Sequence, residues 1–154
     1  MADYFNILER SQVRFGYRIA VLSNWYRGPG YKSIEQKFGL TEPECSVLFC
    51  VGHADHLTAT DVCNITGRPK NSMSRAISLL IEKKLLARTT DDLDGRKKRL
   101  LLTPKGRALY EKIVPIFLKA EQDIVQPLTP SELSDLDRLL SKMIRHVVDT
   151  AHTY

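Results

Sequence analysis

Two short helix patterns joined by a tight turn, with two short extended segments directly after them, constrain this chain more than any other feature. Thr58 to Asp61 forms a capping signal for a helix through Ile65, and Gly67-Arg68-Pro69 predicts the turn that follows it. A second helix is predicted from Pro69 to Lys84. Its buried face should comprise Met73, Ala76, Ile77, Leu80 and Ile81. The pattern predicts a helix-turn-helix.

The periodicity changes from helical to extended after Lys84. Leu85 to Thr90 and Arg99 to Thr103 are short and rich in apolar residues, and the Asp, Gly and charged residues between them are typical of a hairpin tip. We call residues 85–103 the wing. A helix-turn-helix followed directly by a basic hairpin indicates a winged helix-turn-helix lobe over residues 41–103.

Helix signals also precede the two short helices. Periodic apolar residues predict a helix from Asp3 to about Ser23, which the cluster Arg27-Gly28-Pro29-Gly30 should end. A further short helix is expected around Ser33 to Phe38. Thr41 to Glu44 then forms a capping box, with Pro43 in the first turn, for the helix that opens the lobe.

Two long helices are predicted after the wing. Thr103-Pro104 opens one that runs to about Gln126, and Thr129 to Glu132 opens a terminal one. The predicted fold class is therefore mainly α with a small β-hairpin wing. Residues 1–40 and 104–154 should form a helical dimerisation region, because a partner chain is the natural cover for apolar stripes outside the lobe.

The excess positive charge of the chain is confined to about one fifth of its length. The formal net charge is +5, and residues 68–99 alone hold ten Lys or Arg against four Asp or Glu. We call residues 68–99 the basic block. A solvated helical face would normally mix both signs, whereas a block of one sign indicates a surface for a polyanion. Nucleic acid is therefore the expected partner.

The helix from Pro69 carries the side chains expected to read DNA. The face opposite Met73, Ile77 and Leu80 presents, with its flanks, Lys70, Asn71, Ser72, Ser74, Arg75 and Ser78. Small polar side chains let a helix approach the floor of the major groove, where Asn can pair with adenine and Arg with guanine. This helix is predicted to be the recognition helix.

The tip of the wing supplies further candidate DNA contacts. Arg96 at a hairpin tip suits a narrow minor groove, and Lys97 and Lys98 are expected to contact phosphates. The charge of Asp94 opposes that of DNA, so its expected role is to hold a neighbouring Arg or the shape of the hairpin.

Taken in order, these motifs resemble the multiple-antibiotic-resistance regulator (MarR) family. The resemblance runs from residue 40 to residue 145 without insertions. It rests on Leu40-Thr41, Leu57-Thr-Ala-Thr-Asp61, Gly67, Lys70, Ser72-Met-Ser-Arg75, Leu80, Glu82-Lys-Lys-Leu-Leu86, Asp94-Gly-Arg96, Leu102-Thr-Pro-Lys-Gly106 and Leu128-Thr-Pro-Ser-Glu-Leu133. Pro69 departs from the family pattern, in which an Asp or Ser often caps the recognition helix.

The resemblance implies a transcriptional regulator, most often a repressor, that binds a pseudo-palindromic operator in double-stranded DNA as a homodimer. It also implies release by a small effector, often an aromatic or phenolic anion, although no effector-binding residues can be read from this sequence. By carry-over, Asn71, Ser72, Ser74 and Arg75 match recognition-helix positions. Asp94 and Arg96 match a pair in the wing.

Three other functions are compatible with parts of this sequence. A redox sensor of the same fold would use Cys45, Cys50 or Cys63, which are more simply small buried side chains. A metal sensor would use the cluster from His53 to His56, where polar residues are expected at a helix junction anyway. A non-specific architectural DNA binder would share the basic block. Tyr17, Trp25, Tyr26 and Phe49 are expected in the core rather than in an effector cleft.

The sequence lacks the motifs of an enzyme. No nucleophile elbow, phosphate loop or carboxylate pair beside an apolar pocket is recognisable, so no catalytic residue, metal or cofactor is predicted. No apolar run approaches the roughly 20 residues of a membrane span. The first residues lack the pattern of a secretory signal, so the expected location is the cytoplasm.

Overall fold

The computed structural model describes residues 9–54, 56–90 and 97–150. After residue 40 its helices and strands follow the predicted order. In chain order they are α1 (Arg14–Phe38), α2 (Glu42–His53), α3 (Ala59–Thr66), α4 (Lys70–Glu82), β1 (Leu86–Thr90), β2 (Lys98–Leu102), α5 (Pro104–Val125) and α6 (Pro130–Thr150). The described chain is thus mainly α with one antiparallel two-stranded sheet, as predicted.

The hydrophobic core lies where α2 packs against α4 and the wing. Its buried side chains come from every element except α6, and they are Ile34, Leu40, Cys45, Val47, Leu48, Val51, Val62, Met73, Ala76, Ile77, Leu80, Leu85, Leu86, Leu100, Ile113 and Phe117. Helices α1 and α5 also pack against each other beside this lobe. The core therefore joins the helix-turn-helix to α1 and α5.

The predicted break at Arg27 to Gly30 is wrong, because α1 continues through it to Phe38. Pro29 removes one backbone hydrogen bond, but packing offsets this loss. Gly30 is buried, and a Cβ at this position would lie 3.2 Å from the Phe117 ring of α5. The Tyr31 ring contacts the same ring at a centroid distance of 5.0 Å. The helix ends instead at Gly39, whose φ of 62° is left-handed.

The start of the predicted first helix also differs from the structure. Residue 11 is not helical and residues 12 and 13 form a turn before α1, so a continuous helix up to Ser23 is wrong. Asp3, the predicted cap, lies outside the described residues. The separate short helix around Ser33 to Phe38 is likewise wrong, because these residues form the last turns of α1.

The capping signals of the later helices are confirmed. The Thr41 amide donates to Glu44 Oε2 at 2.8 Å, and the Thr58 amide donates to Asp61 Oδ2 at 2.8 Å. At α5 the Gly106 amide donates to the Thr103 hydroxyl oxygen at 3.0 Å. The α6 box repeats this geometry between Thr129 and Glu132. Short polar side chains therefore fix where these helices begin.

The wing is anchored at its base. Leu86 pairs with Leu102 and Thr90 with Lys98 in the antiparallel register. The Leu100 amide donates to the Leu57 carbonyl at 2.8 Å, which attaches β2 to the segment before α3. The predicted hairpin is confirmed, and its tip at residues 91–96 lies outside the described residues.

Apolar side chains on α1 and α6 remain exposed in the single chain. Trp25 and Phe15 of α1 are 72% and 65% exposed, and α6 has no buried residue. The exposed apolar residues of α6 are Leu133, Leu139, Leu140, Met143, Ile144, Val147 and Val148. Among the described residues, none of the helices has the length and apolar character needed to cross a membrane.

Candidate nucleic-acid interface

The predicted recognition helix is α4, and its two faces divide as the periodicity predicts. Met73, Ala76, Ile77 and Leu80 are buried, whereas Ile81 is only half-buried at the edge of the core. Pro69 lies at the position before the first helical residue, with φ −56° and ψ 135°, and offers no side-chain cap. Helix α4 therefore begins one residue later than predicted.

The opposite face of α4 presents the predicted polar side chains together. The exposed ones are Lys70, Asn71, Ser74, Arg75 and Ser78, and Ser72 is half-buried beside them. Asn71, Ser72 and Arg75 line a concavity of about 580 Å³ with residues at the start of α2. Lys70 and Ser74 line another of about 330 Å³ shared with α3. Their assignment as DNA contacts stays a prediction.

The described part of the wing contributes cations close to the start of α3. Lys97, Lys98 and Arg99 line a concavity of about 600 Å³ with residues 58–61. The Lys98 ammonium donates to the Thr90 hydroxyl at 2.8 Å across the two strands. The Arg99 guanidinium donates to the His56 carbonyl. The predicted contacts Asp94 and Arg96 lie outside the described residues.

Two cations of the basic block form ion pairs with carboxylates of α2. Arg68 contacts Glu42, which also contacts Arg27 of α1. Lys83 lies 2.6 Å from Glu44. Reasoning from the sequence missed both pairs, because acidic residues in the first turn of a helix are explained by capping and the helix dipole alone. The basic block is therefore not one uniform DNA-facing surface.

The environment of Glu44 favours the ionised carboxylate. Burial of Glu44 acts to raise its pKa, but hydrogen bonds from Lys83 and from the backbone and hydroxyl of Thr41 outweigh that effect. The pKa of Glu44 therefore lies below the ordinary value of 4.5. The side chain is only 1% exposed, so this is a buried charge whose partners hold it in place.

Two of the three cysteines lie in environments that disfavour the thiolate. Burial raises the pKa of Cys45 to about 12, and burial also raises the pKa of Cys50. All three cysteines are free, with Cys45 buried and Cys50 and Cys63 half-buried. Since the thiolate is the reactive form, the environments of Cys45 and Cys50 do not favour the redox alternative.

At the end of α2, His53 makes polar contacts within the protein. His53 Nδ1 lies 2.9 Å from the Phe49 carbonyl and 3.0 Å from the Tyr110 hydroxyl. Asp55, which belongs to the candidate metal cluster from His53 to His56, lies outside the described residues. Within residues 9–54, 56–90 and 97–150, no three metal-binding side chains come together.

The aromatic residues divide between the core and the surface. Tyr26 and Phe49 are half-buried around Phe117, which confirms the core interpretation for these two. That interpretation is wrong for Tyr17 and Trp25, which are exposed on α1 in the single chain. Tyr17 and Trp25 therefore lie on α1, outside the winged helix-turn-helix lobe.

Comparisons with known proteins agree with this geometry. A family model described as the MarR family matches residues 38–97, from the end of α1 to the start of the second half of the wing. TcaR of Staphylococcus aureus, a curated HTH-type transcriptional regulator, is 27% identical over 121 residues. The match covers 77% of this chain and 79% of TcaR.

Solved structures extend the likeness over most of the fold. The S. aureus MepR–DNA complex is 27% identical with a TM-score of 0.71, covering 86% of this chain and 97% of MepR. BpsR of Bordetella bronchiseptica, solved to explain how 6-hydroxynicotinic acid regulates its DNA binding, is 29% identical with a TM-score of 0.70. That match covers 86% of this chain and 93% of BpsR. The chain is therefore similar to the MarR family over residues 38–97, and over most of its fold it is similar to proteins described as DNA-binding transcriptional regulators.

Proposed function

We propose that this regulator is a homodimeric repressor that binds a pseudo-palindromic operator in double-stranded DNA and is released from it by a small-molecule effector. The observation behind the proposal is the exposed polar face of α4, which lies opposite the buried side chains Met73, Ala76, Ile77 and Leu80. An α-helix of this kind fits the major groove, where base edges present distinct donor and acceptor patterns. The exposed polar face of α4 therefore supports sequence-specific reading of DNA.

Each side chain of this face has a chemical role in the proposal. Asn71 and Arg75 read base edges: the Asn amide offers one donor and one acceptor that match adenine, and the Arg guanidinium offers two donors that match the acceptors of guanine. Lys70 contacts phosphate, and the three serines let α4 approach the groove floor without a steric barrier. These serines are Ser72, Ser74 and Ser78.

The wing completes the proposed interface. Lys97 and Lys98 border the start of α3 and bind phosphates on one side of the groove. Arg96 enters the adjacent minor groove, and Asp94 holds the wing in shape. These two roles come from the family resemblance and from the position of the residues at the hairpin tip.

Dimerisation is proposed because apolar side chains are exposed along α1 and α6. Contiguous apolar patches of this kind usually mark interaction sites. A two-fold dimer would cover them and would place two α4 helices about one helical turn of DNA apart. The regions 1–40 and 104–154 then form the dimerisation region, and residues 41–103 form the DNA-binding lobe.

A small aromatic or phenolic anion is the proposed effector class. The support comes from the relative BpsR, whose DNA binding is regulated by 6-hydroxynicotinic acid. An effector that prefers a different spacing of the two α4 helices would lower DNA affinity by shifting the population of dimers. Release of a repressor by such a ligand is the regulatory outcome proposed here.

Selection of bound duplexes from a random pool tests the proposal directly. We expect a recovered sequence with two inverted half-sites, bound at least a thousandfold more tightly than random duplex at physiological salt, in the usual range for specific binders. Sedimentation of the complex should give two chains per duplex. Equal affinity for selected and random duplexes at every salt concentration would contradict the proposal and favour an architectural DNA binder.

Alanine substitutions test whether α4 determines the preference for the selected duplex. Arg75→Ala should weaken binding to the selected duplex and relax its preference at one base position. The matched control is Lys112→Ala, which removes an exposed cation of α5 outside the basic block. An equal effect of both variants would mean that general charge, rather than α4, determines the preference.

A further inference from the structure

The two ends of the recognition helix are attached to carboxylates in the first turn of α2. At the C-terminal end of α4, the Lys83 ammonium donates to Glu44 Oε1 at 2.6 Å and to the Gly39 carbonyl at 2.9 Å. Gly39 is the residue that ends α1. One ammonium group therefore joins α4, α2 and α1.

The backbone at this junction also contacts α5. The Lys105 ammonium donates to the Lys83 carbonyl at 3.0 Å, and the Thr103 hydroxyl donates to the Lys84 carbonyl at 2.7 Å. Both donors lie at the start of α5. The last turn of the recognition helix is thus held between the two helices that flank the lobe.

The N-terminal end of α4 has a parallel arrangement. Arg68 lies in the turn just before α4 and contacts Glu42. The same carboxylate contacts Arg27, which lies midway along α1. Glu42 and Glu44 are two residues apart, so one helical turn of α2 links both ends of the recognition helix to α1.

We propose that Glu42 and Glu44 are positioning residues that fix both ends of α4 relative to α1, and that Arg68 and Lys83 hold the recognition helix instead of binding DNA. The inference rests on the proposed reading of DNA by α4. It assigns two cations of the basic block to the attachment of this helix. It also names the contacts through which a movement of α1 would reorient α4.

The physical basis is the burial of one partner and the length of the helix. Glu44 is 1% exposed, so loss of Lys83 leaves a buried carboxylate without its cation. Helix α4 is about 20 Å long, so a small tilt at one end displaces the side chains that reach base edges at the other. Release of either end should therefore affect specificity before it affects general affinity for DNA.

The salt dependence of binding distinguishes a positioning residue from a phosphate contact. A cation that contacts phosphate contributes about 0.9 to the slope of log K against log salt, whereas a cation that pairs with a carboxylate of the protein and contacts no phosphate does not add to this count. The experiment measures affinity of the full-length dimer for the selected duplex and for random duplex over a range of salt concentrations. The variants are Lys83→Met, Glu44→Gln and Lys83→Arg, with Lys70→Met as the comparison at a proposed phosphate contact.

We expect Lys83→Met and Glu44→Gln each to lower the preference for the selected duplex by roughly tenfold at an unchanged salt slope. The double variant should lose no more than Lys83→Met alone, because both substitutions remove the same contact between Lys83 and Glu44. Lys83→Arg keeps the cation and should recover most of the preference. Lys70→Met should instead reduce the slope.

A reduced slope with unchanged preference in Lys83→Met would overturn the inference, and so would wild-type preference in Glu44→Gln. If Lys83→Met does not fold, Glu44→Gln carries the test, because it keeps the size of the side chain and its capping geometry. Failure of the proposed function would look different, since the wild-type dimer itself would then show no preferred duplex.

Discussion

Gly106 packs directly on the carbonyl group of Leu85. A Cβ atom at residue 106 would lie 2.0 Å from the Leu85 oxygen, a distance that no side chain can adopt. The Thr103 amide donates to the same oxygen at 3.1 Å. The first turn of α5 is therefore seated on the base of the wing, and only glycine permits this approach.

Gly106→Ala should consequently destabilise the folded protein by about 1–3 kcal/mol, the usual cost of overpacking. Urea unfolding followed by circular dichroism measures the change. The matched control is Gly28→Ala in α1, because a Cβ there meets nothing within 4 Å. That control should be neutral or stabilising by up to about 1 kcal/mol. Equal destabilisation by both substitutions would refute the steric explanation.

The ionised form of Glu44 makes stability sensitive to acid. Its pKa in the folded protein lies below 4.5, so its contribution is fully present above that pH and is lost as the pH falls through the folded value. Glu44→Gln should lower stability at neutral pH by about 1–2 kcal/mol. It should also weaken the pH dependence of the unfolding free energy below pH 4.5, as measured by urea titrations from pH 7 to pH 3. An unchanged acid dependence would contradict this account.

The exposed apolar stripe of α6 gives a test of assembly. Met143 is 47% exposed in the single chain, and the neighbouring Lys142 is exposed as well. Met143→Glu should shift the chain to monomer in analytical ultracentrifugation, because burial of a carboxylate opposes association. Its affinity for a two-half-site duplex should fall together with dimerisation. Lys142→Glu changes charge in the same helix and should leave the dimer intact. Dimers of equal strength in both variants would place the interface elsewhere.

The raised pKa values of Cys45 and Cys50 predict that these two thiols resist oxidation. With a pKa of about 12, Cys45 has a thiolate fraction on the order of 10⁻⁵ at pH 7. Treatment with dilute peroxide should therefore leave operator affinity unchanged in a gel-shift titration. A variant with Ser at Cys45, Cys50 and Cys63 should bind and respond to effector as the wild type does. Loss of binding in peroxide that this variant prevents would favour a redox sensor.

The helix boundaries after residue 40 could be predicted because local side chains determine them. Thr58, Thr103 and Thr129 each supply the oxygen that satisfies a free amide of the first turn. The polar face of α4 could also be predicted, because the spacing of apolar residues along a helix determines which side chains share a face. The prediction failed at Gly28-Pro29-Gly30, where the local signal to end a helix is overridden by packing of Gly30 against Phe117, 87 residues later in the chain.

The candidate site could be predicted only in part, for a related reason. Exposed positions such as Asn71 and Arg75 follow from helical spacing alone. The attachment of Lys83 to Glu44 joins residues 39 apart in sequence, and no periodicity encodes it. Composition showed where the cations are concentrated, but only the packing of α2 against α4 distinguishes those that hold the helix from those that face outward.

This separation has a consequence for how such a regulator can evolve. Changes at the outward-facing positions Asn71, Ser74 and Arg75 alter no buried contact, and exposed substitutions of this kind usually change stability by less than about 0.5 kcal/mol. Duplicated copies of the gene can therefore diverge in the operators they recognise while the scaffold stays folded. The residues that anchor α4 are, in contrast, expected to resist drift, because their loss would blur every operator equally.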